Sequence, residues 1–233
     1  MATRGAVLNK QKPVSYSGNE GSVIVHHMFP TIQGEGPLTG RPALFVRLWG
    51  CNLRCPACDE EYTSMQTEYT IKDLVKKICL TQKELIVITG GEPFRQESLG
   101  DVVYRLTALR RTVQIETNGT LWTKTPALYK NARIVVSPKA HTVAIPETFI
   151  EAVKYVVHSE YIDHSDGLPI ISLGRKTKPL WRPSFLPPSS IYLQPEDTKN
   201  EEQNKKNLDA CIDSCIKHGY TLNVQLHKII GLE

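Results

Sequence analysis

The pattern that most limits the fold is a series of short apolar runs, each closed by a polar or glycine-rich loop and separated by helical spacing. The clearest is residues 84–89, with Leu85-Ile86-Val87-Ile88 at its centre and Thr89-Gly90-Gly91-Glu92-Pro93 at its end. Residues 43–48, 112–116, 133–136, 152–157, 191–194 and 221–226 read as further strands, and 23–28 as a first one. Helical spacing falls between them. Thr70 opens a helix with Asp73 three residues on, a capping-box variant, and Ile71, Leu74, Val75, Ile78 and Cys79 form its apolar face. Leu99, Val102, Val103, Leu106 and Leu109 mark a second helix. Thr198 and Glu201 suggest the start of a third, with Leu208, Cys211, Ile212, Cys215 and Ile216 buried and Gly219 after its end. Strands alternating with helices define an α/β chain with a mainly parallel sheet and right-handed crossovers. A partial (β/α) barrel fits, and a flat doubly wound sheet is the alternative. In both, ligands gather at the C-terminal ends of the strands.

The chain has 233 residues, enough for one sizeable core. We read residues 1–21 as a flexible N-terminal extension, polar and without the apolar core of a signal peptide, and residues 22–233 as a single domain. With 28 basic against 24 acidic residues the net charge is +4, which gives no argument for nucleic acid as the main partner. No stretch is long and apolar enough for a membrane span. These features place the chain in the cytoplasm, where its 6 cysteines are ligands or core residues rather than disulfides.

Three of those cysteines, Cys51, Cys55 and Cys58, lie in a C-x3-C-x2-C arrangement directly after the run 43–48. Three thiolates at this spacing can surround one metal centre. A structural zinc site takes four ligands, and ordinary iron–sulfur clusters are held by four cysteines. Three cysteines on a four-iron cluster leave one iron open to bind a further ligand. The competing reading is a zinc knuckle completed by His26 or His27. Cys79, Cys211 and Cys215 sit on apolar helix faces and read as core. Gly90-Gly91 lets a ligand approach the backbone closely. Residues 29–37 read as a loop, in which Gln33 and Glu35 either point into a pocket or, as a loop by itself would suggest, solvate a turn. The stretch 158–190, with Arg175, Lys176, Lys178, Trp181 and Arg182, has no clean period; it is a solvated connection, a lid, a dimer contact or a basic patch.

The triplet resembles the signature of radical S-adenosylmethionine (SAM) enzymes, and Gly-Gly-Glu-Pro resembles the segment that holds the amino group of SAM in them. The chain as a whole resembles the 7-carboxy-7-deazaguanine synthase family. The matching stretches are FPTIQGEG, FVRLWGCNLRCPACD, ITGGEP, IETNGT, VSPK, KYVV, LQPED and VQLHKIIGLE, in that order from Phe29 to Glu233. This resemblance implies a modified, incomplete (β/α) barrel of the radical SAM type, a homodimer, and a [4Fe–4S] cluster, SAM and Mg²⁺ as cofactors. It also implies an external electron donor such as flavodoxin. The implied reaction converts 6-carboxy-5,6,7,8-tetrahydropterin to 7-carboxy-7-deazaguanine with loss of ammonia, SAM being used catalytically. By the same resemblance Cys51, Cys55 and Cys58 hold the cluster. Ala57, Cys58, Asp59, Gly91, Ser137, Pro138, Lys139, Gln194, Pro195, Glu196 and Asp197 contact SAM. Ile32, Gln33, Gly34, Arg47, Thr89, His227 and Glu233 contact the pterin, Arg47 gripping its carboxylate bidentately. One position departs from the family, which usually has Thr or Ser as a Mg²⁺ ligand after the Cys-Asp pair. Here it is Glu60, expected to serve as a carboxylate ligand in its place.

Overall fold

The computed structural model describes residues 9–15, 18–175 and 179–232. Among the described residues nine strands and four α-helices follow one another as β1 (Ser22–Ile32), β2 (Pro42–Leu48), β3 (Thr67–Thr70), α1 (Ile71–Leu80), β4 (Leu85–Gly90), α2 (Leu99–Ala108), β5 (Thr112–Thr117), β6 (Arg133–Val136), β7 (Ile150–Val157), β8 (Ile191–Pro195), α3 (Glu201–His218), β9 (Thr221–Leu222) and α4 (Leu226–Ile229). All strands join one sheet in the order β3-β1-β2-β4-β5-β6-β7-β8-β9. From β2 through β9 every pairing is parallel; β1 is antiparallel to both β2 and β3. The sheet does not close, and short 3-10 turns replace helices in the β5–β6 and β6–β7 crossovers. It is an incomplete barrel. No helix among the described residues is long and apolar enough to cross a membrane.

Strand alternation sorts the side chains. Leu44, Val46 and Leu48 of β2, Ile86 and Ile88 of β4, and Val113 and Ile115 of β5 join Leu74, Ile78, Val103 and Leu106 of α1 and α2 in the main core. The opposite face carries Arg47, Thr89, Gln114, Glu116, Lys154 and Gln194 towards the C-terminal ends of their strands. Seven of the eight expected strands are found at their places to within a few residues.

Four expectations are corrected. The loop at 29–37 begins later, because β1 runs on to Ile32. Beyond Val25 only β2 pairs with β1, and that open edge tolerates Pro30. The last strand is only Thr221–Leu222, and His227 and Lys228 ride on α4 instead. The third helix is capped by Asn200, whose side chain accepts from the Gln203 amide; Thr198 donates to Asn204. Its buried stripe is Asn207, Cys211 and Ser214, which turns Ile216 out to solvent. Leu109, at the end of α2, is also exposed.

Residues 9–14 dock on the cysteine loop: the Asn9 amide donates to Pro56 O (2.9 Å) and the Val14 amide to Cys51 O (2.7 Å). Asn9 Nδ2 donates to Cys55 O, and Gln11 Nε2 to Glu60 O at 2.8 Å. The 158–190 stretch is likewise packed where it is described. Leu180 is in the core, Trp181 and Phe185 lie against it, and Arg182 pairs with Asp166 at 2.7 Å. Lys176 and Lys178 lie outside the described residues.

Candidate active site

The cysteine loop leaves the C-terminal end of β2, and its three thiols line one cavity of about 80 Å³ with Gly90, Gly91, Asn118, Lys139 and Leu173. Two glycines let the β4 loop meet the cysteine loop. A Cβ on Gly91 would stand 2.1 Å from Gly50 O, and one on Gly90 2.2 Å from Leu48 O. Burial pushes the Cys51 and Cys58 thiols up to about 12, with neighbouring acidic groups and thiols adding to the effect. Buried thiols in this state become good ligands when a cation displaces their protons. His26 is turned to Glu61 at 2.9 Å and His27 stacks on Phe29, so neither completes a zinc knuckle. Among the described residues no three His, Cys, Asp or Glu side chains converge at single-ion distances. Three separated thiols around a cavity suit a multi-iron cluster. Cys211 packs in the core as expected, and Cys79 and Cys215 lie against it.

The supports of this loop are buried. Glu92 accepts from the Phe94 and Asn118 amides (3.0 and 2.8 Å) and from Thr117 Oγ1 (2.7 Å), tying β4 to β5; burial pushes its carboxyl up to about 7. Asn118 Nδ2 donates to Asn52 Oδ1, and Asn52 Nδ2 to Thr120 Oγ1, which fixes the β5 loop to the cysteine loop.

Beside the thiols lies a larger cleft of about 230 Å³. Ile32, Gln33, Arg47, Cys58, Asp59, Gly91, Ser137, Lys139, Gln194 and His227, all expected site residues, line it, and Thr89 faces Arg47 across the β2–β4 pair. Gly34 lies directly under His227, where a Cβ would stand 2.0 Å from Nδ1. Ala57, Glu196 and Asp197 line an adjoining recess with Asp59 and Glu60. Pro138 and Pro195 carry the chain past the cleft without lining it. Glu233 lies outside the described residues. Burial pulls the His227 imidazole below its ordinary range, which keeps it neutral at pH 7. Lys139 is drawn down by burial too, and its Nζ donates to Ser137 Oγ at 2.6 Å.

Sequence reasoning missed the floor of this cleft. Lys154 of β7 pairs with Glu35 and, at 3.0 Å, with Glu116 of β5. Gln114 donates to Glu116 (2.6 Å), Gln225 to Glu35 (2.8 Å), and Asn223 to Gln194 (2.7 Å). Gln33 and Glu35 are therefore built into the site and do not solvate a turn. The signal was present: Gln114 and Glu116 are alternate residues of one strand, and Lys154 is the single charge inside the apolar run 152–157.

Glu60 is the other surprise. Its carboxylate is paired with Arg47, whose guanidinium lies 5.8 Å over the Phe29 ring. Its acidic neighbours are also committed. Asp59 faces Lys228 at 3.6 Å, while Glu61 accepts from Thr63 and Ser64 and meets His26. Three adjacent carboxylates here serve three separate partners, and as placed they do not fit a shared Mg²⁺ site.

Residues 49–145 match the radical SAM superfamily, and the open parallel sheet with a cysteine loop after its first parallel strand is the fold of that class. The chain is 38% identical to the 7-carboxy-7-deazaguanine synthase of Rhodospirillum rubrum, over 92% of this chain and 94% of that protein. It is 32% identical to that of Aquifex aeolicus, over 91% and 94%. The crystal structure of QueE from Escherichia coli shares the fold, with a TM-score of 0.62 at 23% identity over 88% of this chain and 95% of that one. This chain belongs to the 7-carboxy-7-deazaguanine synthase family.

Proposed function

We infer that the chain is a radical SAM lyase of 7-deazapurine biosynthesis. It converts 6-carboxy-5,6,7,8-tetrahydropterin to 7-carboxy-7-deazaguanine with loss of ammonia, using SAM catalytically. The observation that supports this most is one cleft that brings Cys58, Arg47, Thr89 and His227 together. A metal-binding thiol, a carboxylate-binding cation and a neutral imidazole are what a radical reaction on a carboxylated heterocycle needs side by side.

In this reading Cys51, Cys55 and Cys58 hold a [4Fe–4S] cluster. Gly91, Ser137, Lys139, Gln194, Glu196 and Asp197, with Ala57 and Asp59, hold SAM, while Pro138 and Pro195 fix the backbone between these residues. Together the cluster and SAM supply the one-electron chemistry that removes a hydrogen atom from the pterin. The rest is positioning by the chain. Arg47 grips the carboxylate, Thr89 and neutral His227 offer hydrogen bonds to the ring system, and Ile32, Gln33 and Gly34 close one side. Gly90 and Gly91 let the reacting groups approach, and the packed 158–175 segment, through Leu173, helps exclude water. Mg²⁺ belongs to the same reading, with Glu60 engaged by Arg47 and not counted among its ligands. A homodimer, a cytoplasmic setting that keeps the thiols reduced, and a flavodoxin-like electron donor complete it.

The test is anaerobic reconstitution with iron and sulfide, then incubation with SAM, a reductant and the carboxypterin, with products read by mass spectrometry. Formation of carboxydeazaguanine and ammonia supports the reading. Reductive SAM cleavage without any change in the pterin overturns it. Arg47→Lys keeps the charge but loses the forked geometry. Loss of a buried charge-assisted partner costs about 2–5 kcal/mol, so kcat/KM for the carboxypterin should fall at least about 30-fold. SAM cleavage without pterin should change little. An equal fall in both would make Arg47 an organiser of the cluster loop.

A further inference from the structure

Arg47 is paired with a carboxylate of its own chain, that of Glu60. Both residues line the cleft that the proposed function assigns to the pterin. Resting on that reading, we propose that Glu60 is a resident stand-in for the substrate carboxylate: it neutralises Arg47 until the pterin arrives, and is displaced by the pterin's own carboxylate.

Three observations carry this. Arg47 is a cation on a strand deep in the sheet, its side chain only 13% exposed, and a buried guanidinium is costly without a counter-charge. Glu60 supplies that charge from a side chain that is 45% exposed, so it can swing to water without unpacking a core. Its backbone, meanwhile, is anchored: Gln11 Nε2 donates to Glu60 O at 2.8 Å, and Tyr62 N to Gln11 Oε1 at 2.8 Å. The exchange therefore needs only side-chain rotation, with the cysteine loop left in place. The flanking acids cannot substitute for it, since Asp59 is turned to Lys228 and Glu61 to Thr63, Ser64 and His26.

The consequence is selectivity. A carboxylated pterin trades one ion pair for another and releases Glu60 to solvent. A pterin without the carboxylate gives Arg47 no replacement, so Glu60 stays and narrows the cleft. The internal carboxylate also lowers the apparent affinity for every ligand that must displace it, in proportion to the fraction of molecules in which Arg47 is occupied. Glutamine at this position keeps the size but removes the competing charge.

The experiment measures equilibrium binding of 6-carboxypterin and of unsubstituted pterin by pterin fluorescence. It uses the reconstituted protein with SAM, as wild type, Glu60→Gln and Glu60→Thr, each with and without Mg²⁺. Both variants should bind 6-carboxypterin about tenfold more tightly. Unsubstituted pterin should show less than about a twofold change, and the Mg²⁺ dependence should match wild type. Equal or weaker binding of 6-carboxypterin by both variants overturns the inference. So does a loss of binding confined to the Mg²⁺ samples, which would make Glu60 a metal ligand instead. If 6-carboxypterin binds none of the three proteins while all of them bind SAM, the substrate assignment falls and takes the inference with it. Binding that is present but equal in all three removes only the role of Glu60.

Discussion

Replacing Cys51, Cys55 or Cys58 with alanine should abolish the visible cluster absorbance and all turnover, whereas replacing Cys79, Cys211 or Cys215 should leave both in place. The division follows from where the sulfurs lie. The first three line one cavity on the cysteine loop, between the C-terminal ends of β2 and β4. The others belong to α1 and α3 and pack into the main core, Cys211 with no exposure at all. A cluster held by three thiolates has no spare protein ligand, so losing one is not compensated. Truncating a buried core cysteine costs packing instead, about 1–3 kcal/mol, and Cys211 should cost more than partly buried Cys79. Absorbance spectra and iron content after anaerobic reconstitution decide the matter. Retained iron in a Cys55→Ala protein, or lost iron in a Cys211→Ala protein, would contradict the assignment.

Much of this architecture was readable because its parts are local. Leu85-Ile86-Val87-Ile88 has no other good use than a buried strand, and Thr70 with Asp73 caps α1 through its own side chain. The cysteine triplet and the glycine pair announce themselves by spacing. What was not readable depends on pairing partners far away in the chain. Pro30 argues for a loop until β1 is known to leave an open edge there. His227 was expected directly after a strand over 221–226, but the chain turns at Gln225, which has a positive φ of 49°, and enters α4 instead. Asn9 and Gln11 look like solvated tail residues, and nothing near them in sequence predicts hydrogen bonds to a loop more than forty positions on. The Arg47 partner of Glu60 was hidden for a related reason. The neighbours of Glu60 in sequence suggested a metal, while its neighbour in space is Arg47.

The largest effect on stability is expected at Lys154. Its Nζ sits between the Glu35 and Glu116 carboxylates, all three side chains largely buried, and ties β7 to β5 and to the loop after β1. Removing one partner of a buried ionic cluster leaves the other charges uncompensated, at about 3–5 kcal/mol. Lys154→Met keeps the bulk and should therefore lose about that much in urea unfolding at pH 7. The pH profile gives a second reading of the same contact. Burial pushes the Glu35 carboxyl up, but the charge and hydrogen bond of Lys154, with a hydrogen bond from Gln225, outweigh it and bring the group from 4.5 to about 2. A carboxyl lowered on folding contributes stability above its unfolded value and loses it as the pH falls. The wild-type contribution is thus full above about pH 4.5 and fades towards pH 2. In Lys154→Met the burial remains and the cation is gone, so Glu35 should move above 4.5 and the sign reverses. The variant should gain stability relative to the wild type as the pH falls from 7 towards 4, the contribution of the raised Glu92 carboxyl being common to both. Unfolding of the iron-free chain between pH 7 and 3 separates this from acid release of a cluster. Adding Glu35→Gln and Glu116→Gln to Lys154→Met should recover much of the loss, because no buried charge is then left without a partner. A Lys154→Met protein with an unchanged acid limb, or a triple variant no more stable than the single one, would show that the three groups do not act as one cluster.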